Sequence, residues 1–151
     1  MTYITHSPEE TEQLGAAVAS SLGSSPAFIA LYGDMGAGKT AFVRGLASVL
    51  SPGSRVKSPT YTIVNEYRRG ALALFHFDLC RLSDADELDS FGFDEYVTEG
   101  HCVVEWADIL GDDLPDGAIR ITIERDGEND RTVTVSPDPT AHGFAEESVI
   151  S

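Results

Sequence analysis

The residues Gly33-Asp34-Met35-Gly36-Ala37-Gly38-Lys39-Thr40 fit the pattern G-x-x-x-x-G-K-[ST], the phosphate-binding P-loop. We refer to residues 33–40 as the phosphate loop. Its glycines let backbone N–H groups approach a polyphosphate closely and adopt positive φ values. Lys39 is expected to reach the β- and γ-phosphate oxygens, and the Thr40 hydroxyl to bind Mg²⁺. The loop therefore predicts a site for a nucleotide and a divalent cation.

A match to so short a pattern also arises by chance, so the flanking segments matter. Phe28–Tyr32 is an apolar run suited to a buried strand, and Lys39–Leu50 shows the apolar spacing of a helix. The positive end of that helix would point at the phosphates. The candidate nucleotide-binding residues here are Gly33, Asp34, Met35, Gly36, Ala37, Gly38, Lys39, Thr40 and Ala41.

The composition indicates one globular domain. The chain has 151 residues, 42% of them hydrophobic, and no apolar run of 18 residues that could span a membrane. The N-terminus has neither a basic region nor an apolar one, so it does not read as a signal peptide. Cys80 and Cys102 are far apart and form no C-x-x-C pattern. A reduced, cytoplasmic protein without a membrane partner is the simplest interpretation.

The formal net charge is −15, with only ten basic residues. Electrostatic attraction to phosphates supplies most non-specific affinity for nucleic acids. We therefore expect any contact with RNA or DNA to go through a partner. The same acidity also serves solubility, and the two interpretations are compatible.

Several segments give an α/β pattern. Tyr3–Thr5 is a candidate edge strand, and Ser7-Pro8-Glu9-Glu10 predicts a helix with Ser7 as N-cap, Pro8 at its first position and a capping box closed by Glu10. This helix is expected to continue to about Leu22.

Two hairpins are predicted further along the chain. Strands at Thr60–Tyr67 and Ala71–Asp78 would be joined by residues 68–70, and strands at 118–124 and 131–136 by residues 125–130. Between the hairpins, 81–92 reads as mixed loop and short helix, 93–97 as a helical turn, and 101–106 as a buried strand. The fold class is α/β, a P-loop NTPase-like three-layer fold. A mostly parallel central sheet is flanked by helices and carries added antiparallel strands. One domain covers 1–136, and 137–151 is an acidic tail.

Two carboxylates are candidates for holding Mg²⁺ near the phosphates. Asp78 and Glu105 each end an apolar run that reads as a strand, where an NTPase places such a group. Strand geometry puts His76 on the same side as Asp78. An acidic residue at a strand end is otherwise often a turn or cap residue. The sequence leaves open which carboxylate lies nearer the metal.

Two further features flank this site. In Ser58-Pro59-Thr60, proline extends the preceding residue, and two hydroxyls there could sense a γ-phosphate; a plain turn is the alternative. Trp106, the only tryptophan, follows Glu105, which would place it near the metal unless it simply packs in the core.

Four motifs together resemble one family. The phosphate loop is followed by Ser58-Pro59-Thr60 with Asn65-Glu66-Tyr67, then by His76-Phe77-Asp78-Leu79-Cys80-Arg81-Leu82, then by Glu105-Trp106. In this order and approximate spacing they resemble the TsaE (YjeE) family, the small P-loop ATPases of bacterial tRNA threonylcarbamoyladenosine biosynthesis. The resemblance covers about residues 3–136.

The resemblance implies the cofactors, the site and the partners. ATP and Mg²⁺ would be held by Lys39 and Thr40, Thr60 would belong to a switch-like loop, and Asp78 and Glu105 to the metal and hydrolysis site. Two ASKHA-fold subunits, of the TsaB and TsaD types, would transfer threonylcarbamoyl to adenosine 37 of tRNAs reading ANN codons, so tRNA is met only through them. The ATPase would reset that complex between turnovers. Cys80 departs from the family, which usually has Tyr there, and receives no role.

Two other functions fit the phosphate loop. A non-catalytic, nucleotide-dependent interaction module would bind nucleotide without releasing phosphate. A small-molecule kinase would need an acceptor and usually several basic residues in a lid, and besides Lys39 this chain has few basic residues to spare.

Overall fold

The computed structural model describes residues 1–33, 37–57, 63–80, 82, 92–111 and 114–137. Within these residues, seven strands form one sheet, accompanied by three α-helices and a short 3₁₀ helix. The strands are β1 Thr2–Thr5, β2 Phe28–Tyr32, β3 Val64–Tyr67, β4 Leu74–Asp78, β5 His101–Glu105, β6 Ile119–Arg125 and β7 Arg131–Ser136. The helices are α1 Pro8–Ser20, α2 Lys39–Leu50 and α3 Phe93–Glu99, with the 3₁₀ helix at Ala107–Leu110.

The strand order is β1-β7-β6-β2-β5-β4-β3. The four central strands, β6, β2, β5 and β4, run parallel, while β3 pairs antiparallel with β4 and β7 pairs antiparallel with both β6 and β1. Short connections allow only antiparallel pairing, which explains the two hairpins at the edges. The expected parallel sheet is thus confirmed for its centre, and the edges are antiparallel as predicted.

Both faces of the sheet are covered, which confirms three layers. Ile29 and Leu31 of β2 pack in a core with α1 and α2. The alternate residues Phe28 and Ala30 pack in a second core with Phe93 of α3 and residues of the 3₁₀ helix. This two-residue alternation is what a strand buried on both faces produces.

Helix α1 begins as predicted and ends earlier. Ser7 Oγ accepts the backbone N–H of Glu10, but the Glu10 carboxylate accepts the N–H of His6 rather than that of Ser7. The capping box is therefore only half formed. The helix ends at Ser20, because the next residue already bonds back to Ala17 and Val18 in a tightened last turn.

Helix α2 lies directly against α1. A Cβ on Gly45 would stand 1.9 Å from the carbonyl oxygen of Glu12, so only glycine permits this approach. The Arg44 side chain bonds Glu12 at 3.3 Å beside it. Helix α1 thereby sets the position of the helix that follows the phosphate loop.

The first hairpin differs from its prediction. Strand β4 begins at Leu74 rather than Ala71, and Tyr67 pairs with Leu74, so residues 68–73 form a longer loop. The reason is a competing contact with the end of α2. The Arg69 N–H donates to Ser51 Oγ at 2.8 Å, and Gly70 packs on the Leu50 carbonyl. Of the predicted strand 60–67, residues 60–62 lie outside the described residues, and β3 covers Val64–Tyr67.

The remaining elements follow the predictions. β1 is an edge strand, β6 and β7 form the second hairpin, and α3 extends the predicted helical turn to Glu99. Most of 81–91 and the tail from 138 onward lie outside the described residues. In the described part of the chain, no helix is both long and apolar enough to cross a membrane.

Candidate functional site

The parallel strands β2, β4 and β5 end at the same edge of the sheet, beside the start of α2. A cavity of about 400 Å³ opens there. It is lined by Pro8, Gly38, Lys39, Thr40, Ala41, Arg44, Asp78, Glu105, Trp106 and Arg131. Open α/β sheets bind ligands at the carboxyl ends of their strands, so the cavity is in the expected place.

Lys39 is the buried cation of this cavity. Only 6% of the residue is exposed, and Nζ donates to the Gly33 carbonyl at 2.7 Å. Nζ also lies 3.9 Å from Glu105 Oε1 and 4.3 Å from the centre of the Trp106 ring. A carbonyl, a carboxylate and an aromatic face all favour a positive charge, so the site holds its ammonium group ready for an anion.

The backbone around Lys39 is arranged for close approach. Gly33 has φ 144°, and a Cβ there would stand 2.5 Å from the Ile123 carbonyl on β6, so only glycine fits. Gly38 caps α2 in the left-handed region, with φ 106° and no side-chain cap. The first N–H groups of α2 thus lack a capping side chain and line an open cavity, the usual arrangement for anion binding.

Glu105 is buried beneath the cavity and held by His76. Glu105 ends β5 with 5% exposure, and His76 on β4 is fully buried. His76 Nε2 hydrogen-bonds Glu105 Oε2, while Nδ1 has no partner among the described residues. An ionised carboxylate can only accept a hydrogen bond, so the Nε2–H group of His76 is the donor in this pair.

Asp78 pairs in register with Glu105 across β4 and β5. Its side chain is half-buried on the cavity wall, and Oδ1 accepts the backbone N–H of Cys80 at 3.0 Å. Thr40, at the second position of α2, also lines the cavity. Two carboxylates and one hydroxyl therefore face a single space.

Trp106 turns the chain directly after Glu105. It has φ 58°, a conformation that is uncommon for a residue other than glycine. Such geometry costs about 1–3 kcal/mol and persists where surrounding contacts require it. In this backbone conformation the indole ring of Trp106 lies beside Lys39 Nζ.

The structure brings together the predicted residues Gly38, Lys39, Thr40, Ala41, Asp78, Glu105 and Trp106. Gly33 joins them through its carbonyl bond to Lys39, and Ala37 is buried next to the cavity. Asp34, Met35, Gly36 and Thr60 lie outside the described residues.

Sequence reasoning missed two arginines and the role of one histidine. Arg44 and Arg131 line the cavity, and Arg131 Nε donates to the Ala37 carbonyl at 2.9 Å. The period of β4 placed His76 beside Asp78, but its contact with Glu105 depends on strand pairing. No local pattern marks Arg131, which is 94 positions from Ala37.

Fold and site together define a class: a three-layer α/β protein with a glycine-rich loop, a buried lysine and paired carboxylates at the carboxyl edge of its sheet. The family model described as "Threonylcarbamoyl adenosine biosynthesis protein TsaE" matches residues 5–133. The chain belongs to the TsaE family.

Individual relatives agree with this assignment. A Bacillus subtilis protein named tRNA threonylcarbamoyladenosine biosynthesis protein TsaE is 40% identical over 131 residues, covering 86% of this chain and 81% of its own length. A Treponema pallidum protein of the same name is 32% identical, covering 90% of this chain and 100% of its own length. The crystal structure of Bacillus subtilis YdiB superposes with a TM-score of 0.73 at 34% identity, over 89% of this chain and 83% of that one.

Proposed function

We propose that this chain is the Mg²⁺-dependent ATPase subunit of the complex that forms N6-threonylcarbamoyladenosine at position 37 of tRNAs reading ANN codons. Hydrolysis of ATP would reset two partner subunits of the TsaB and TsaD types between turnovers. Family membership supports the pathway, and the match of residues 33–40 to the phosphate-binding pattern, directly before α2, supports the nucleotide. The chain would act in the cytoplasm.

The observation that carries the proposal is the convergence on one cavity. A lysine, the uncapped start of α2 and two carboxylates meet there. Lys39, Arg44 and Arg131 are three of only ten basic residues in a chain of net charge −15. The cavity thus has three basic side chains against two acidic ones, in a chain with 25 acidic and 10 basic residues, and this local excess of positive charge favours a polyanion such as a triphosphate.

The oxygen atoms around the cavity fit Mg²⁺. This cation usually takes one or two protein oxygens and completes its shell with phosphates and water. The Thr40 hydroxyl and the Asp78 carboxylate would hold it. The hydrogen bond from the Cys80 N–H to Asp78 Oδ1 fixes the direction of this half-buried carboxylate at the cavity. Bound there, the cation would neutralise charge on the phosphate oxygens.

Glu105 would orient the attacking water. In hydrolysis the water oxygen bonds to the γ-phosphorus, the bond from that phosphorus to the β–γ bridging oxygen breaks, ADP leaves with the bridging oxygen, and the proton lost by the water is released to solvent with the phosphate. The Glu105 carboxylate accepts a hydrogen bond from that water, while His76 fixes its other oxygen. Lys39 moves from the Gly33 carbonyl to the β- and γ-phosphate oxygens.

The charge of the chain argues for contact with tRNA through partners. Away from the cavity, Arg68 is engaged with the acidic residues Glu66 and Glu99. A chain with this charge lacks the basic surface that tracks a phosphate backbone.

Phosphate release from ATP tests the enzymatic part directly. Lys39→Ala should abolish release, because it removes the buried cation of the site. Lys57→Ala is the matched control, since it removes the only other lysine, which is exposed. Release without any added acceptor separates hydrolysis from kinase activity, and turnover of the Lys39→Ala variant at the wild-type rate would overturn the proposal.

A further inference from the structure

Arg131 connects the β6–β7 hairpin to the phosphate loop. Its Nε donates to the Ala37 carbonyl at 2.9 Å. Its Nη1 donates to the carbonyls of Asp130 at 2.8 Å and Glu128 at 3.2 Å. One guanidinium group thus bonds the turn of the hairpin and the loop before α2 at the same time.

The bond to Ala37 has a consequence for the neighbouring amide. In a trans peptide, the C=O of one residue and the N–H of the next point in opposite directions in one plane. Fixing the Ala37 carbonyl therefore fixes the direction of the Gly38 N–H. A phosphate loop binds through the directions of its N–H groups, so this constraint bears on its function.

The Arg131 side chain also lies beside Gly38. A Cβ built on Gly38 would lie 3.7 Å from Arg131 Nε and 4.0 Å from Arg131 Cγ, so the arginine lies against the loop backbone. Arg131 also lines both the main cavity and a smaller one of about 70 Å³ beside it. The arginine therefore supports the loop from the side of the β6–β7 hairpin.

We propose that Arg131 is a positioning residue that holds the Ala37–Gly38 peptide in its phosphate-binding orientation before a nucleotide arrives. This inference rests on the proposed function, because the orientation of the Ala37–Gly38 peptide matters only if the loop binds the phosphates of a nucleotide. Its benefit is pre-organisation, because a loop already in place loses less conformational freedom on binding. The residue acts through the backbone of the loop.

Arg125 provides a matched control in the same hairpin. It is the register partner of Arg131 across β6 and β7. Its Nε donates to the Gly127 carbonyl at 2.9 Å, within the turn. Replacing it removes the same charge and a similar bond without touching the phosphate loop.

Backbone NMR relaxation on the nucleotide-free, full-length chain tests the inference, with Arg131→Gln compared with Arg125→Gln. In the wild type and in Arg125→Gln, the order parameters of the Gly38 and Lys39 amides should be near those of rigid backbone, about 0.85; in Arg131→Gln they should fall toward about 0.6. The amides of β2 should remain rigid in all three proteins. Unchanged order at Gly38 in Arg131→Gln would overturn the inference, as would an equal loss of order throughout β2.

Calorimetric titration with Mg-ADP gives the second readout. Affinity should fall about tenfold or more in Arg131→Gln and stay within about twofold in Arg125→Gln. An equal loss in both variants would contradict a specific role for Arg131. The two proposals fail separately: a wild-type chain that binds no nucleotide defeats the proposed function, whereas the order parameters still decide whether Arg131 holds the loop.

Discussion

The imidazole of His76 on β4 reaches across to β5 and hydrogen-bonds the carboxylate of Glu105 through Nε2, at the buried floor of the cavity. Both side chains are withdrawn from solvent, with Glu105 only 5% exposed. One carboxylate oxygen is thereby fixed, and the other, Oε1, faces Lys39. His76, which is not among the residues that line the cavity, therefore sets the orientation of Glu105.

Removing this donor should slow hydrolysis without abolishing nucleotide binding. His76→Leu keeps much of the side-chain volume but leaves Glu105 without its hydrogen bond. A hydrogen bond to a charged group contributes about 1.5–3 kcal/mol, so phosphate release should fall at least about tenfold. Calorimetry should show ADP affinity within about threefold of wild type.

His76→Gln is the control for that substitution, because its amide supplies a donor near the position of Nε2. It should recover part of the lost rate. Equal rates for His76→Leu and the wild type would show that Glu105 needs no such support.

Nucleotide binding should change the fluorescence of Trp106. Lys39 Nζ lies 4.3 Å from the centre of its ring, and under the proposed function the ammonium group would move to the phosphates of a bound nucleotide. Because the chain has one tryptophan, emission reports on this position alone. Lys39→Ala should alter the emission of the free protein and lose the response to Mg-ADP. Saturating Mg-ADP that leaves the wild-type spectrum unchanged would separate Trp106 from the site.

Acidification should weaken the fold through His101. Burial lowers the pKa of His101 below its usual 6.5, and its Nδ1 accepts the Ala27 N–H at 3.1 Å. Because the folded state prefers the neutral ring, the contribution to stability is present above pH 6.5 and is lost as pH falls through the lowered pKa. His6 acts with the opposite sign, because Asp130 raises its pKa, so its small contribution is present in acid and lost as pH rises.

Urea unfolding at pH 7.5 and pH 5.5 measures the effect of His101. His101→Asn keeps an acceptor near Nδ1 but cannot titrate, and every other group is common to both proteins. The wild type should lose more free energy of unfolding between the two pH values than the variant does. An equal loss would place the acid sensitivity elsewhere.

Local sequence was sufficient for the centre of the site. A buried strand, a glycine-rich loop and a helix follow one another directly, so Lys39 and Thr40 were placed by a pattern that depends on neighbours alone. Asp78 and Glu105 were predicted to lie together because each ends an apolar run and parallel strands bring such ends to one edge, and they are register partners on β4 and β5.

The remaining features depend on contacts between distant segments. The bond of Arg131 to Ala37 requires the β6–β7 hairpin to lie beside β2, and nothing near residue 131 signals it. The bond of His76 to Glu105 requires the register of β4 on β5. The late start of β4 reflects Arg69 and Gly70 packing on the end of α2, which overrides the apolar pattern of residues 71–73.

Glu105→Gln tests the central claim, that ATP hydrolysis at this site sustains repeated rounds of tRNA modification. The amide keeps the size and hydrogen bonding of the side chain but loses its charge. We expect the variant to bind ATP, while hydrolysis by the reconstituted complex falls at least about tenfold, a change of about 1.4 kcal/mol in the barrier. Glu124→Gln, which neutralises an exposed carboxylate on β6, should behave as the wild type.

The measurement is the number of modified tRNAs formed per complex when this chain is supplied with its partner subunits, threonylcarbamoyl donor and ATP. The isolated chain should be a slow ATPase, since a partner commonly supplies the last factor of about 10³–10⁵ in P-loop hydrolysis. The wild type and Glu124→Gln should support many turnovers, and Glu105→Gln about one. Multiple turnovers with Glu105→Gln, or hydrolysis at tens per second by the isolated wild-type chain, would contradict the account.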